Sequence, residues 1–199
     1  MDIIFATRNP GKVNEVKAFF NDSVFNIRSL DDVGIEGDAV EDGMSLGENA
    51  TKKSMFVHAV QPDLWVIADD TGIFIDALNG EPGIRAARWA GPGATTEQTR
   101  DYCLMKMRGI KDRSATFRCV ISLVNPHGEE RQFEGVLPGT LRETPSKQSR
   151  PKMPYSGLFV PTNHQETLAE MSIDYENEIS HRGQALRQAK KFLEEQLGR

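Results

Sequence analysis

Three groups of side chains in this sequence have the types and spacing needed for chemistry on a phosphorylated ligand. A polar segment ending in a lysine, residues 7–12 (TRNPGK), comes first along the chain. Two adjacent carboxylates follow at Asp69 and Asp70, and a histidine-arginine pair lies at His181 and Arg182. Cations at both ends of a site with acids between them suit a polyphosphate whose charge is offset by Mg²⁺. These residues therefore favour metal-assisted attack by water, with one aspartate orienting or deprotonating the water.

Covalent catalysis by serine or cysteine has no support in the sequence. None of the serines lies in a GxSxG elbow. Cys103 and Cys119 have no CxxC or Cys/His metal spacing, so we expect both to be buried as small hydrophobic residues.

The lysine segment is predicted to connect a strand to a helix. Residues 3–6 (IIFA) form a short apolar run, and Val13, Val16 and Phe19 follow at helical spacing. Because the first-turn amides of a helix have no internal acceptor, this turn can hold phosphate oxygens. It is not a Walker A loop, since a valine follows the Gly-Lys pair, and a plain strand-to-helix connection remains the alternative.

The aspartate pair follows a strand that is predicted to be buried on both faces. Residues 64–68 (LWVIA) are continuously apolar and stop at 69–72 (DDTG), and residues 73–78 predict another strand. In open α/β sheets, ligand sites gather beyond the carboxyl ends of such strands. Adjacent side chains of an extended chain point to opposite sides. At most one of Asp69 and Asp70 should therefore face a given site, while its neighbour holds the turn.

The histidine-arginine pair opens an amphipathic helix predicted over residues 180–197. Arg182 can form paired hydrogen bonds with a phosphate or a carbonyl edge, and His181 can donate to or accept from a base. The alternative for His181 is a helix-capping role.

The other elements favour a mixed α/β sheet. A Ser45/Glu48 capping box predicts a helix to about residue 60, and a Thr95/Gln98 pair predicts a second helix to Gly109. An antiparallel hairpin is predicted over residues 115–124 and 130–137. Residues 21–44 are acidic and glycine-rich and predict a solvated loop. The basic segment 143–156 is either a mobile flap or a surface insertion.

Composition narrows the classes of function. The chain has 199 residues and a net charge of -5, which predicts one soluble domain and disfavours nucleic acid as the main partner. It has neither a membrane-spanning apolar run nor a signal peptide, so we expect a cytoplasmic protein with no membrane partner.

Five ordered segments resemble the inosine triphosphate pyrophosphatase family, of which the chain looks like a divergent member. They are residues 7–12 (TRNPGK), 48–50 (ENA), 68–72 (ADDTG), 82–88 (PGIRAAR) and 179–183 (ISHRG). The resemblance implies a single domain over residues 1–199 with an elongated, two-lobed α/β fold. It further implies a central mixed sheet flanked by helices, a cleft between the lobes, and a homodimer. The implied reaction is Mg²⁺-dependent hydrolysis of unusual purine nucleoside triphosphates, such as ITP, dITP and XTP, to the monophosphate and pyrophosphate.

The resemblance also implies roles for individual residues. Asp70 would be the general base and a Mg²⁺ ligand, supported by Asp69. Glu41 would be a second acid near the metal, with Glu48 as the rival candidate. The implied substrate-binding residues are Thr7, Arg8, Asn9, Pro10, Gly11, Lys12, Thr71, Tyr155, His181 and Arg182. Of these, Thr7, Asn9 and Lys12 would hold the triphosphate, while His181 and Arg182 would read the six-position oxygen and disfavour adenine.

The chain departs from the family pattern at two places near the implied nucleotide. Where the family has Phe-Gly-Tyr-Asp-Pro, this chain has Met153, Pro154, Tyr155, Ser156 and Gly157. The family lysine that precedes Ser-His-Arg aligns with Glu176. Losing a stacked aromatic ring costs about 1–3 kcal/mol of base binding.

These departures leave two readings of the site. In the first, the protein is a pyrophosphatase with altered substrate preference, in which Lys147, Arg150 or Lys152 replaces the missing lysine. In the second, it is a nucleotide-binding or interaction module with weakened catalysis. A nucleic-acid binder is a third hypothesis, motivated only by the basic segment.

Overall fold

The computed structural model of the protein describes residues 1–198, which contain seven strands and six α-helices. The strands are β1 (Asp2–Phe5), β2 (Asn26–Ser29), β3 (Trp65–Ile75), β4 (Pro82–Gly83), β5 (Ser114–Val124), β6 (Glu130–Leu141) and β7 (Phe159–Pro161). The helices are α1 (Pro10–Phe19), α2 (Leu30–Val33), α3 (Leu46–Val60), α4 (Thr96–Lys106), α5 (Ile173–Ile179) and α6 (His181–Gln196). None of the helices in this described part combines the length and apolar character required to cross a membrane.

The strands form one mixed sheet in the order β2-β1-β3-β5-β6-β7, with β4 paired to β3. Strand β1 runs parallel to β2 and β3, whereas β3, β5, β6 and β7 pair in antiparallel fashion. The predicted class, a mixed α/β sheet flanked by helices, is confirmed. The predicted hairpin is also confirmed, as the β5–β6 pair.

Hydrophobic clusters divide the sheet into two lobes. In the first lobe, α1 and α6 cover one face through residues such as Val16 and Leu186, and α2 and α3 cover the other through Leu30 and Val57. The second lobe packs around Phe117 and contains the far ends of β3, β5 and β6. The long central strands β3, β5 and β6 run through both lobes, and the single domain over residues 1–199 stays a prediction.

The prediction of two strands separated by a turn at residues 69–72 is wrong. Strand β3 continues without a break from Trp65 to Ile75, because β5 pairs with every residue from Val66 to Ile75. The aspartates therefore lie inside a strand rather than beyond its end. The apolar run ends at Asp69 because polar side chains begin there, while the strand itself continues.

The prediction that residues 21–44 are an irregular loop is wrong in part. Strand β2 forms at the sheet edge by pairing with β1, and α2 follows with a Ser29/Asp32 capping box. Four residues with one apolar side chain carry too little periodicity to indicate a strand without its partner. The elements β7, with three residues, and α5, with seven, were also not predicted, because segments this short show little periodicity. The described helices α3, α4 and α6 lie where the sequence predicted them.

Gly135 sets the distance between β6 and α6. A Cβ at this position would lie 1.9 Å from the His181 carbonyl oxygen. We expect Gly135→Ala to reduce the free energy of unfolding by about 1–3 kcal/mol, because a backbone atom must move to relieve the clash. Urea denaturation measures the effect.

Gly47→Ala is the matched control for this substitution. Its Cβ would meet only the flexible end of Gln132, and alanine is favoured over glycine within a helix. We expect equal or higher stability for this variant. A Gly135→Ala protein as stable as the control would contradict the close contact between β6 and α6.

Candidate active site

A cavity of about 290 Å³ lies between the two lobes. Its walls include most of the residues singled out in the sequence. The predicted site residues that line it are Thr7, Arg8, Asn9, Lys12, Glu41, Asp70, Thr71, Tyr155, His181 and Arg182. The structure therefore brings together side chains that lie up to 175 positions apart in the chain. Pro10, Gly11 and Glu48 are not among the lining residues.

The segment after β1 is held rigidly at the start of α1. The Asn9 side chain accepts hydrogen bonds from the backbone amides of Gly11 (3.0 Å) and Lys12 (3.4 Å). Thr7 Oγ1 accepts from the Asn9 amide at 3.2 Å. The first-turn amides are therefore already satisfied, and Met153 and Pro151 cover Gly11. In this arrangement the Lys12 side chain, rather than the helix amides, presents positive charge to the cavity.

Asp69 is the centre of a buried ionic network. Lys12 Nζ lies 2.9 and 3.0 Å from its two carboxylate oxygens, and Arg182 Nε donates to Oδ2 at 3.1 Å. Arg182 also pairs with the carboxylate of Glu15, and its Nη2 donates to Thr71 Oγ1 at 3.3 Å. Each guanidinium nitrogen of Arg182 thus has a protein partner, and the base-reading role implied by the family resemblance stays a prediction.

Asp70 points to the opposite face of β3, as the strand geometry predicts. Its Oδ2 accepts from Asn49 Nδ2 at 3.1 Å, and Lys53 Nζ lies 3.4 Å from Oδ1. Both partners come from α3, one helical turn apart. The two adjacent aspartates therefore have separate surroundings.

The surroundings move the two aspartate pKa values in opposite directions. Burial acts to raise the pKa of Asp69, but Lys12 and Arg182 outweigh it and hold this pKa far below its usual range. Burial raises the pKa of Asp70, and Lys53 and Lys12 offset only part of the effect. Carboxyl groups whose pKa values are driven apart are typical of an acid-base site. Asp69 is therefore a fixed anion, and Asp70 is the better proton acceptor.

Lys53 is a site residue that the sequence analysis missed. It lines the cavity and lies 3.4 Å from both Asp70 Oδ1 and Glu41 Oε1. Burial acts to lower the pKa of Lys53, but Asp70 and the other nearby carboxylates raise it. The available signal was the i, i+4 spacing of Asn49 and Lys53, which places both on the face of α3 that meets the sheet.

Two carboxylates, Asp70 and Glu41, are available to a metal ion. Glu41 lies on the cavity wall, where Arg88 binds its backbone carbonyl at 2.9 Å. Glu48, the rival candidate, accepts from the Met44 amide at 2.7 Å at the start of α3 and does not line the cavity. No group of three or more His, Cys, Asp or Glu side chains within residues 1–198 is arranged to hold a metal. Mg²⁺ ordinarily takes one or two carboxylates together with substrate phosphates, so this donor set fits it.

The half of the cavity formed by the second lobe is apolar. His181 stacks on Phe117 with ring centroids 4.6 Å apart, and Tyr155 contacts Phe117 edge to face. The Tyr155 hydroxyl is occupied, since it donates to the Ala86 carbonyl at 2.8 Å. Burial holds the pKa of His181 well below its usual value, so the ring is neutral. Both of its ring nitrogens lack hydrogen-bond partners among the described residues.

The basic segment 143–156 closes over this cavity and ends at Tyr155 and Ser156. Asn9 Nδ2 donates to the Lys152 carbonyl at 3.1 Å, and Lys152 lines the cavity whereas Lys147 does not. Arg150 lies 2.8 Å from Glu176 Oε2, so the charge that departs from the family pattern has an opposite charge beside it. The segment is therefore a wall of the site.

The two cysteines are not part of the chemistry. Cys103 and Cys119 are unpaired and buried, and burial raises the pKa of both thiols to about 12. The prediction that they are small hydrophobic residues is confirmed.

The protein has an α/β fold with one cavity between its lobes. One half of the cavity carries cationic and acidic side chains and suits phosphates, and the other half is apolar and suits an aromatic base. Residues 3–192 match the Ham1 family, and the chain belongs to this family.

Related proteins match nearly the whole chain. A dITP/XTP pyrophosphatase of Desulfotalea psychrophila is 38% identical over 98% of this chain and 89% of its own. A dITP/XTP pyrophosphatase of Staphylococcus epidermidis is 38% identical over 97% of this chain and 96% of its own. Among solved structures, the Staphylococcus aureus Ham1 protein has a TM-score of 0.83 at 33% identity, covering 98% of this chain and all of the other. The resemblance to the inosine triphosphate pyrophosphatase family is thereby confirmed.

Proposed function

We propose that this protein hydrolyses purine nucleoside triphosphates such as ITP, dITP and XTP to the monophosphate and pyrophosphate. The observation that carries the proposal is the cavity lined by Asp70, Lys12 and Lys53, in which the pKa of Asp70 is raised while that of its buried neighbour Asp69 is lowered. The names of the relatives give the same reaction.

The triphosphate is proposed to bind between Lys12 and Lys53. Both ammonium groups lie in the cavity wall, and both contact carboxylates. Lys12 can turn toward a phosphate without leaving Asp69 unpaired, since Arg182 still binds that carboxylate. Each lysine offsets negative charge that develops on the phosphate oxygens.

Asp70 is proposed to act as the general base. Water attacks the α-phosphorus, its proton passes to the Asp70 carboxylate, and the bond from the α-phosphorus to the bridging oxygen breaks. The bridging oxygen leaves with pyrophosphate. Asn49 fixes the carboxylate by its hydrogen bond to Oδ2, which leaves Oδ1 toward Lys53 and the cavity.

Mg²⁺ is proposed as the cofactor, held by Asp70 and Glu41 together with substrate phosphates. When bound, it supplies Lewis-acid stabilisation of the phosphate oxygens. Lys53 lies 3.4 Å from an oxygen of each of these two carboxylates and offsets part of their negative charge. The homodimer implied by the family resemblance is likewise a proposal, which light scattering would test.

A panel of nucleotides tests the proposed reaction. We expect pyrophosphate release from ITP, dITP and XTP with Mg²⁺, slower release from ATP, and loss of release with excess EDTA. The absence of pyrophosphate from every nucleotide, with the protein shown to be folded by circular dichroism, would contradict the proposal. Thermal stabilisation by the same nucleotides without hydrolysis would favour the nucleotide-binding module instead.

A further inference from the structure

The loop that carries Glu41 has few apolar contacts to hold it. This Glu41 loop, residues 34–44, connects α2 to α3 and contains neither helix nor strand. Ile35 packs into the first lobe near the start of the loop, but six of the seven residues from 36 to 42 are exposed, and Val40 is 72% exposed. Burial of apolar surface therefore does not fix Glu41, although this residue lines the cavity. Polar contacts have to hold it in place.

Arg8 binds the first part of the Glu41 loop. Its Nη1 donates to the Gly37 carbonyl at 2.7 Å and to the Asp38 carboxylate, and its Nη2 donates to the Ile35 carbonyl. Its Nε lies 3.5 Å from Asp31 Oδ1 in α2. A guanidinium presents its donors in a rigid, planar fork. These contacts therefore fix the loop backbone relative to the segment after β1, which is itself held by hydrogen bonds at the start of α1.

Further polar contacts hold the far end of the loop. Arg88 donates to the Glu41 carbonyl at 2.9 Å, and Lys52 pairs with Asp42. Both cations are exposed, and exposed pairs contribute little stability because water competes for the same groups. Arg8 is half-buried and makes three hydrogen bonds to the loop, so it is the main anchor of residues 35–38.

The charge of Arg8 is already offset by the protein. The carboxylates of Asp31 and Asp38 lie beside its guanidinium, and both N–H groups of Nη1 are used by the loop. Little positive charge and few donors remain for a phosphate. The arrangement therefore favours a role on the loop, and the substrate contact that the family resemblance implies for Arg8 is the alternative.

Building on the proposed function, we infer that Arg8 is a positioning residue that holds Glu41 at the cavity for the metal ion that Asp70 and Glu41 would share. Asp70 comes from a rigid central strand, whereas Glu41 comes from a loop that needs an anchor. A ligand that is ordered before the metal arrives does not lose its freedom on binding. Groups that orient metal ligands typically change metal affinity or activity by about 10–100-fold.

The first test follows the loop in the protein without metal or nucleotide. A nitroxide spin label is attached through Val40→Cys, next to Glu41. Cys103 and Cys119 are buried, so the label reacts at the introduced thiol. We expect Arg8→Met to make the label more mobile, which narrows the central line of its electron paramagnetic resonance spectrum, because residues 35–38 lose their anchor.

Two controls accompany this measurement. Arg28→Met removes an arginine of the same lobe whose guanidinium donates to the Asp32 carbonyl at 2.8 Å, and it should leave the label at position 40 unchanged. The same label attached through Val60→Cys, at the end of α3, should keep its mobility in Arg8→Met.

The fold should tolerate the loss of Arg8. Its carboxylate partners, Asp31 and Asp38, have side chains that are 73% and 79% exposed, so water replaces the guanidinium. Arg8→Lys is the second variant, because it keeps the charge but has no fork to bridge the carbonyls of Ile35 and Gly37. We expect the label to be more mobile in Arg8→Lys than in wild type as well.

The second test asks whether Arg8 acts through Glu41. It compares kcat/KM for ITP with Mg²⁺ in Arg8→Met, Glu41→Gln and the double variant. We expect Arg8→Met to lower kcat/KM by about 10–100-fold. The double variant should match Glu41→Gln within about threefold, because an anchor has no effect once the ligand that it holds is gone.

Three outcomes would overturn the inference. Unchanged mobility of the label at position 40 in both Arg8→Met and Arg8→Lys would show that Arg8 does not hold the loop. Losses that multiply in the double variant would show that Arg8 acts on the substrate directly. An equal rise in mobility at positions 40 and 60 would show a general loosening of the lobe.

The label measurement separates this inference from the proposed reaction, since it needs no turnover. If no nucleotide is hydrolysed but the label responds as expected, the proposed reaction fails and the hold of Arg8 on the Glu41 loop stands. If hydrolysis occurs and the label does not respond, the role of Arg8 fails alone. If neither is observed, both fail.

Discussion

Asp70→Asn is expected to lower kcat by about 10²–10⁴-fold while the fold and nucleotide binding are retained, because this is the usual contribution of a general base. Asparagine has the same shape and still accepts the hydrogen bond from Asn49, so the local packing is preserved. Lys53 keeps Glu41 as a partner at 3.4 Å, which avoids leaving a buried cation unpaired. Pyrophosphate release from ITP with Mg²⁺ measures the effect.

Asp76→Asn is the matched control, because Asp76 follows the end of the same strand and is exposed. We expect it to keep wild-type kcat. Calorimetric binding of ITP separates a chemical defect from a binding defect, since Asp70→Asn should change the dissociation constant far less than kcat. Turnover by Asp70→Asn within a factor of about ten of wild type would refute the general-base role.

Arg182→Met is expected to reduce the free energy of unfolding by about 3–5 kcal/mol, which is the usual cost of breaking a buried ion pair. Arg182, Glu15 and Asp69 are each at most 2% exposed. Removing the guanidinium leaves the Glu15 carboxylate without its cation, whereas Asp69 still contacts Lys12. Urea denaturation at pH 7 measures the loss.

Two further variants identify the cause of this loss. Arg187→Met removes an exposed arginine from the same helix whose guanidinium donates to one backbone carbonyl, and we expect a change of about 1 kcal/mol or less. Adding Glu15→Gln to Arg182→Met removes the uncompensated charge and should restore part of the stability. If Arg182→Met were no more destabilised than Arg187→Met, the ionic network would not hold α6 against α1 and β3.

The sequence predicted the long elements and the chemistry of the site because both depend on local signals. Helices α3, α4 and α6 have capping residues and apolar spacing that are complete within each segment. The alternation of side chains along an extended chain correctly separated Asp69 from Asp70. The predicted boundary after residue 68 failed, because an antiparallel partner rather than the local composition extends β3 to Ile75.

The sequence by itself determined the fold class, the family, and most of the side chains that meet in the cleft, although it missed Lys53. The contacts and charge states of these side chains were decided by the tertiary structure alone, because their partners are distant in sequence. The tertiary structure assigned Arg182 to the ionic network around Asp69, brought Lys53 to Asp70, and paired Glu176 with Arg150. The family resemblance implied Asp70 as the base and Asp69 as its support, but the physical reason, burial and neighbouring charge, is a property of the folded cavity that the pattern of residue types does not contain.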